Sequence, residues 1–587
     1  MSGPYPAGPA ANFIWVGRRR ILSVNHFRST PSRYFPMNFK RVSLSLTCSL
    51  LLSSLTIAME PSEPIRVFIF AGQSNMVGSD SKVDDIRRFP PFIGLEKPQA
   101  DVKFSYCIGR ENKLRSDGWV DLQPVNNVVG PELSFARAVS EASEGPIAII
   151  KCAAGGTHLG GDWNPDEPSG FEMYPLLLEE VTQALAALDR ENLPWRLEGF
   201  MWHQGENDMF NEDYMDNYGE NLSRFMECVR RDLKAPELPF FVGELCTKTI
   251  WGMDLRPRMY AISVGQKEAV ARDAHATYIP TSHVGVEIGG GVGLHYHYGT
   301  LGQLEHGINY AQAYLRSIQR YAPPQRTLSP WPYPEGSTIQ LVVMAGHRNM
   351  EGERAFTQQA KETPGGAELL QDRPYIAYRY ALGGGVRKSN SWEPLGTVGF
   401  YDTFGPEFSF ARDAVGDGQR HLAIVKFTHS GSQMIDWTPE GSMAKSRNLY
   451  PAWIDFIQSA ISDLEKRGHG VEIAAILYHV GENDMSFGPF RKSAPKHLTS
   501  LVESTRKDLG LPDLRWIVSQ QTPTQDERVS KIDVVADITE IAEDDRYMMH
   551  VTHLELPPQE KQLVINTAGI IRLGEVLAEA FQESQSR

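Results

Sequence analysis

The chain repeats itself once, at an offset of 274 to 276 residues. Ile65–Gly78 reads IRVFIFAGQSNMVG, and Ile339–Gly352 reads IQLVVMAGHRNMEG. GPELSFAR at 130–137 returns as GPEFSFAR at 405–412, and IAIIK at 147–151 returns as LAIVK at 422–426. Asp162-Trp163 returns as Asp436-Trp437, and Gly205-Glu206-Asn207-Asp208-Met209 returns as Gly481 to Met485. A constant offset of this size requires two copies of one domain-sized unit. It excludes a solenoid, whose repeats run to about 20–50 residues. The copies differ where chemistry is most expected, because Ser74 of the first is Arg348 in the second.

Within the first copy, short apolar runs alternate with helical patterns. Residues 66–71, 147–152, 197–202 and 239–243 read as buried strands. Residues 131–142, 174–189, 217–233 and 303–319 carry helical spacing. Strands alternating with helices imply a parallel sheet covered on both faces. The expected fold class is therefore α/β: two tandem three-layer α/β/α domains, each with a flavodoxin-like parallel sheet of about five strands. The boundaries are 64–320 for the first domain and 338–585 for the second. The Pro-rich stretch 321–337 reads as a semi-rigid linker.

Ahead of the first domain, Lys40-Arg41 and the apolar, hydroxyl-rich run Val42–Ala58 have the pattern of a signal peptide over 37–58, which implies a secreted or periplasmic protein. Residues 1–36 read as a leader or a misplaced start. The net charge is −14, and residues 1–58 hold seven Lys or Arg with no Asp or Glu, leaving −21 on the remainder. Such a balance disfavours a nucleic-acid partner and suits a neutral sugar ester. Cys107, Cys152, Cys228 and Cys246 all lie in the first copy, where disulfides and buried thiols are both compatible with export.

Four segments of the first copy carry candidate chemistry. Gly72-Gln73-Ser74-Asn75-Met76 places a serine where a strand hands over to a helix, at the carboxyl edge at which open α/β sheets build their sites. Gly155-Gly156 follows the strand 147–152 and allows a backbone N–H to approach a ligand. Trp202-His203-Gln204-Gly205-Glu206 adds an amide and a carboxylate at the same edge. His295 and His297 precede the last helix, where a histidine can serve a serine nucleophile as base. His295-x-His297 lacks third and fourth metal ligands, so no metal or other cofactor is expected. His158, His203 and Trp163 read as structural.

In this order these motifs resemble the SGNH hydrolase superfamily and, more narrowly, the sialate O-acetylesterase-like domain and related carbohydrate esterases that include acetylxylan esterases. The resemblance implies Ser74 as nucleophile. It implies an oxyanion hole of the Ser74 N–H, the N–H of Gly155 or Gly156, and the Gln204 amide, with Gln73 and Asn75 contacting substrate. The spacing from His297 to Gly302-Gln303 fits the family's base, with His295 as alternative. The family's acid, three residues before the base, is absent: Leu294 or Val292 stands there. Glu206, with Asp208 as alternative, is the expected substitute. The second copy has lost the nucleophile to Arg348, the Gln204 amide to Val480 and the base to Val564, and keeps only Ser430-Gly431 of the glycine pair. The sequence thus implies a carbohydrate O-acetylesterase acting on an acetylated sugar or polysaccharide, with a degenerate second domain packed against the first. The alternative is a non-catalytic glycan-binding protein.

Overall fold

The computed structural model describes residues 63–111, 113–245, 249–250, 253–284, 297–324, 326–415, 421–443, 447–485, 488–520, 534–551, 554 and 564–586. The expected leader and signal segments, His295 and Cys246 lie outside them. Pro61–Arg587 forms one compact unit that contains both copies.

Six parallel strands build the first sheet: β1 (Ile65–Gly72), β2 (Gln99–Ile108), β3 (Ile147–Ala153), β4 (Trp195–His203), β5 (Phe240–Gly243) and β6 (Ala276–Ile279). They run in the order β2-β3-β1-β4-β5-β6. Two short antiparallel strands, Leu114–Arg115 and Val120–Leu122, pair with β2. The second sheet repeats this plan with β7 (Thr338–Gly346), β8 (Arg373–Leu382), β9 (Leu422–Thr428), β10 (Gly470–His479), β11 (Trp516–Ser519) and β12 (Met548–Val551), ordered β8-β9-β7-β10-β11-β12. The five-strand flavodoxin-like order is present in each half. Beyond it, a sixth parallel strand and two antiparallel strands bring each sheet to eight.

β1 and β3 are buried along their whole length, as strands covered on both faces must be. Helices Glu132–Ala142 and Gly299–Ser317 pack on one face, joined where Ser134 Oγ donates to the Leu304 carbonyl at 2.6 Å. In the second half, Ser409 Oγ donates to the Ile571 carbonyl at 2.7 Å. Lys151 of β3 pairs with Glu132 at 2.7 Å, and Lys426 of β9 with Glu407 at 2.7 Å, all four side chains at most 3% exposed. These ion pairs explain why GPE-x-SFAR and the strand lysine recur in both copies: they pin a helix start to a central strand.

The Pro-rich stretch does more than connect the halves. Trp331 Nε1 donates to His469 Nε2 at 2.8 Å, and the Tyr333 hydroxyl accepts from the Ala377 N–H at 2.9 Å. Leu328 and Tyr333 close a core cluster with Ile339, Leu341 and Trp392. Its aromatic residues seal the second domain, a role its proline content conceals. Cys107, Cys152 and Cys228 are buried free thiols. Among the described residues no helix is long and apolar enough to cross a membrane.

Removing one partner of a buried ion pair strands the other charge. Glu132→Ala is expected to lower stability by about 3–5 kcal/mol, whereas Glu132→Leu with Lys151→Met should stay near wild type. Urea unfolding midpoints of the single and double variants check this.

Candidate active site

β1 ends at Gly72, whose φ of +149° and proximity to the His203 carbonyl leave no room for a Cβ. This lets the ends of β1 and β4 close together before the short helix Ser74–Val77 begins, a helix that Gly78 stops in a left-handed conformation. Ser74 stands first in that helix and is 9% exposed. A Cβ placed on Gly155 would lie 3.5 Å from the Ser74 Cβ, so the glycine pair runs directly beside the serine. A Cβ on Gly156 would lie 3.1 Å from Arg110 Nη1 and 3.7 Å from Asn207 Nδ2. Ser74, Gly155, Gly156, Asn207 and Arg110 therefore border one space at the carboxyl edge of the sheet.

The last motif reaches this space through Asn75. Its Oδ1 accepts from the Tyr298 N–H at 3.2 Å, and its Nδ2 donates to Glu206 Oε1 at 2.5 Å. His297 is thereby held next to the serine helix, and its Nδ1 lies 2.7 Å from Asp80 Oδ2. Asp80 follows Ser74 by six residues and adopts a left-handed φ of +63°. The carboxylate partner of His297 is thus Asp80, supplied from the turn that follows Ser74.

This geometry corrects several expectations. Glu206 is 3% exposed and faces His203 Nε2 at 3.7 Å and Asn75, not His297. Burial alone would raise its pKa, but His203 and Asn75 outweigh burial and hold it below the ordinary carboxylate value. Asp208 accepts from the N–H groups of Leu159 and Gly160 at 2.9 and 3.0 Å, with its pKa pushed up to about 6 by burial. Gln204 is fully buried, and its Nε2 faces Gln73 Oε1, the Thr157 carbonyl and Asp208 Oδ2 at 3.1, 2.9 and 2.5 Å. An amide with two N–H groups so committed has none left for an oxyanion. Gln73 is also interior, accepting through Oε1 from the Gly205 and Asn207 N–H groups. Asn75 is a strut behind the serine, with both atoms of its amide engaged within the protein. Asn207 is the amide that borders the site, and among the described residues its Nδ2 makes no hydrogen bond.

Asn207 escapes a comparison of the two copies because Asn483 is retained in the second. There its Nδ2 donates to the Ser430 and Ser432 carbonyls at 2.9 and 2.8 Å. Asp80 is replaced by Arg354 at the 274-residue offset, a signal the sequence does contain. Trp163 and Trp437 are buried and bond to Thr157 Oγ1 and Ser432 Oγ at 2.9 and 3.0 Å, as packing residues. Arg348, in the serine's position, is 2% exposed and forms a bidentate pair with Glu353 at 2.6 and 2.5 Å.

The family model for "Carbohydrate esterase, sialic acid-specific acetylesterase" matches residues 64–316 and again 338–583. A protein of Arabidopsis thaliana named a probable carbohydrate esterase is 24% identical over 273 residues, covering 44% of this chain and 93% of the relative. The X-ray structure of an Arabidopsis thaliana protein aligns over 43% of this chain and 98% of its own, with 20% identity and a TM-score of 0.33. A carbohydrate acetylesterase from Xanthomonas citri aligns over 43% and 56%, with 16% identity and a TM-score of 0.32.

Arg348→Ser is expected to create no second active site, because Asn483 stays engaged and Val564 is no base. It would leave the Glu353 carboxylate buried and alone, at a cost of about 3–5 kcal/mol. Thermal unfolding together with acyl-ester turnover in a Ser74→Ala background measures both outcomes.

Proposed function

The chain belongs to the sialic acid-specific acetylesterase family of carbohydrate esterases, and from that premise we propose that its first half deacetylates sugar hydroxyls through a serine acyl-enzyme. The observation that carries this reading is the 2.7 Å pair of His297 Nδ1 with Asp80, on the turn that presents Ser74. A carboxylate on Nδ1 fixes the imidazole tautomer and leaves Nε2 to take the serine proton.

Ser74 Oγ attacks the acetyl carbonyl carbon as His297 accepts its proton. The oxyanion rests on the Ser74 N–H, an N–H of Gly155 or Gly156, and Asn207 Nδ2. The intermediate collapses, the sugar oxygen leaves with the proton from His297, and acetyl-Ser74 remains. Water, deprotonated by the same histidine, then attacks the acyl carbon, and acetate is released as His297 returns the proton to Ser74 Oγ.

Arg110 supports an acidic sugar as substrate. Its guanidinium lies over the Phe171 ring at 5.0 Å, beside Gly156, and among the described residues it forms no ion pair. Such a cation at the mouth of the site suits a substrate carboxylate. The same reading takes Met37–Ala58 as an export signal, which requires the exported protein to begin close to residue 59.

Hydrolysis of p-nitrophenyl acetate tests the mechanism. Ser74→Ala should abolish turnover, and Asn207→Ala should lower kcat about 100- to 1,000-fold without loss of stability. Equal rates for wild type and Ser74→Ala would remove the serine assignment. Glycan binding without turnover by wild type would favour a binding protein instead. Arg110→Ala should raise KM for an O-acetylated sialic acid several-fold and leave p-nitrophenyl acetate unaffected.

A further inference from the structure

The second half has lost its chemistry, yet the space equivalent to the active site is filled by polypeptide from the first half. In the first half, the glycine pair after β3 and the turn after β2 border the site. Their counterparts are His429-Ser430-Gly431 after β9 and Gly383-Gly384 after β8. The turn Thr281–Val284, which follows β6, sits directly on them. A Cβ on Gly431 would overlap the Ser282 carbonyl oxygen, and one on Gly383 would lie 2.9 Å from the His283 Cβ. Ser430 Oγ donates to the His283 carbonyl at 2.5 Å, and Ser282 Oγ lies 3.3 Å from His429 Nε2. The His283 ring stacks on Phe400 with centroids 4.4 Å apart, and its Nε2 lies 3.5 Å from the Tyr401 hydroxyl. All four residues of the turn are buried.

The turn is coupled to the proposed base without any intervening length of chain. Thr281 Oγ1 accepts from the Tyr298 hydroxyl at 2.8 Å and donates to the Glu244 carbonyl at 2.6 Å. Val284 packs on Tyr298 in a cluster of their own. Glu244 Oε2 accepts from the Thr281 and Ser282 N–H groups at 3.0 and 3.1 Å, while its Oε1 faces Arg447 of the second half at 3.5 Å. Tyr298 is the neighbour of His297 and the residue that Asn75 ties to the serine helix.

We infer that the second half is a positioning device for the first: the crevice equivalent to its active site is the seat of the Thr281–Val284 turn, and this seating sets His297 through Thr281 and Tyr298. The inference rests on the serine-esterase reading for its effect on rate, but not for the coupling itself. It gives the degenerate copy a function, explains why the crevice keeps Gly431 where a larger residue would expel the turn, and assigns Thr281 as a positioning residue.

Gly431→Ala, made in the full chain and far in sequence from Ser74, is the direct test, with Gly488→Ala as a control away from the seat. Hydrogen exchange should show lost protection both in the 281–284 peptide and at the Tyr298 amide. With p-nitrophenyl acetate, kcat should fall at least about tenfold with KM within about twofold, since small displacements of a reacting group carry penalties of this size. Labelling of Ser74 by a fluorophosphonate should slow in proportion. Thr281→Val, which keeps shape but removes the hydroxyl, should show the same split of kcat from KM, and Thr281→Ser should restore it. The inference is overturned if 281–284 loosens in Gly431→Ala while Tyr298 exchange and kcat stay at wild type. Should Gly431→Ala fail to fold, a wild-type kcat in Thr281→Val overturns it equally. A wild type unreactive toward both ester and fluorophosphonate would instead remove the serine reading, and the exchange at Tyr298 would still decide the coupling.

Discussion

One buried asparagine closes each half across the edge of its sheet. Asn75 accepts from the Tyr298 N–H, and Asn349 accepts through Oδ1 from the Ile565 N–H at 2.9 Å. Each therefore joins the first motif of its copy to the last, over more than 200 residues of chain. A buried amide left without partners is costly, so the bond is enforced by desolvation as much as by its own strength. In the first half it brings the turn carrying Ser74 and Asp80 to the segment carrying His297. In the second it makes the same closure with no nucleophile to serve. The clamp belongs to the fold, and the chemistry was built beside it.

Much of this was legible in the sequence, and the failures have physical causes. The duplication and the buried strands announced the fold, because parallel strands covered on both faces are continuous apolar runs. β2 was not read because QADVKFSYCI carries charge and polar residues on an edge-side strand, and β6 because ATYI is too short to show a period. The meeting of Ser74 and the glycine pair at one sheet edge is legible because each follows a strand end. The pairing of Asp80 with His297 is not, because the two residues stand 217 apart in the chain and meet only across space. Loss in the second copy does not by itself mark chemistry: the fully buried Gln204 gives way to Val480 in the core, while Asn483 is kept with two carbonyls to bond.

The second half keeps the scaffold of the first while Arg348 stands in the position of Ser74. Arg348 is a buried cation paired with Glu353, and the pair fills the space at the head of the helix Arg348–Glu351. Glu482 lies 3.5 Å from His479 Nε2 and accepts from the N–H groups of Arg348 and Asn349 at 3.1 and 2.9 Å, with its pKa pushed up to about 7 by burial. His479, the counterpart of His203, keeps a ring whose pKa burial lowers to about 3. All of these groups are interior polar contacts of the kind that every buried donor and acceptor must find.

The difference between the halves is then one of satisfaction. An active site needs donors aimed at a charge that exists only in the transition state, so those donors must stay unpaired in the resting protein. Asn207 meets that condition and Asn483 does not, although both follow the same strand and the same Gly-Glu pair. Holding such a donor open forgoes hydrogen bonds that would each contribute about 0.5–1.5 kcal/mol. The second half makes those bonds through Asn483, and its crevice holds a chain segment. The Ser282-His283 turn, bonded to His429 and Ser430, occupies it on these terms.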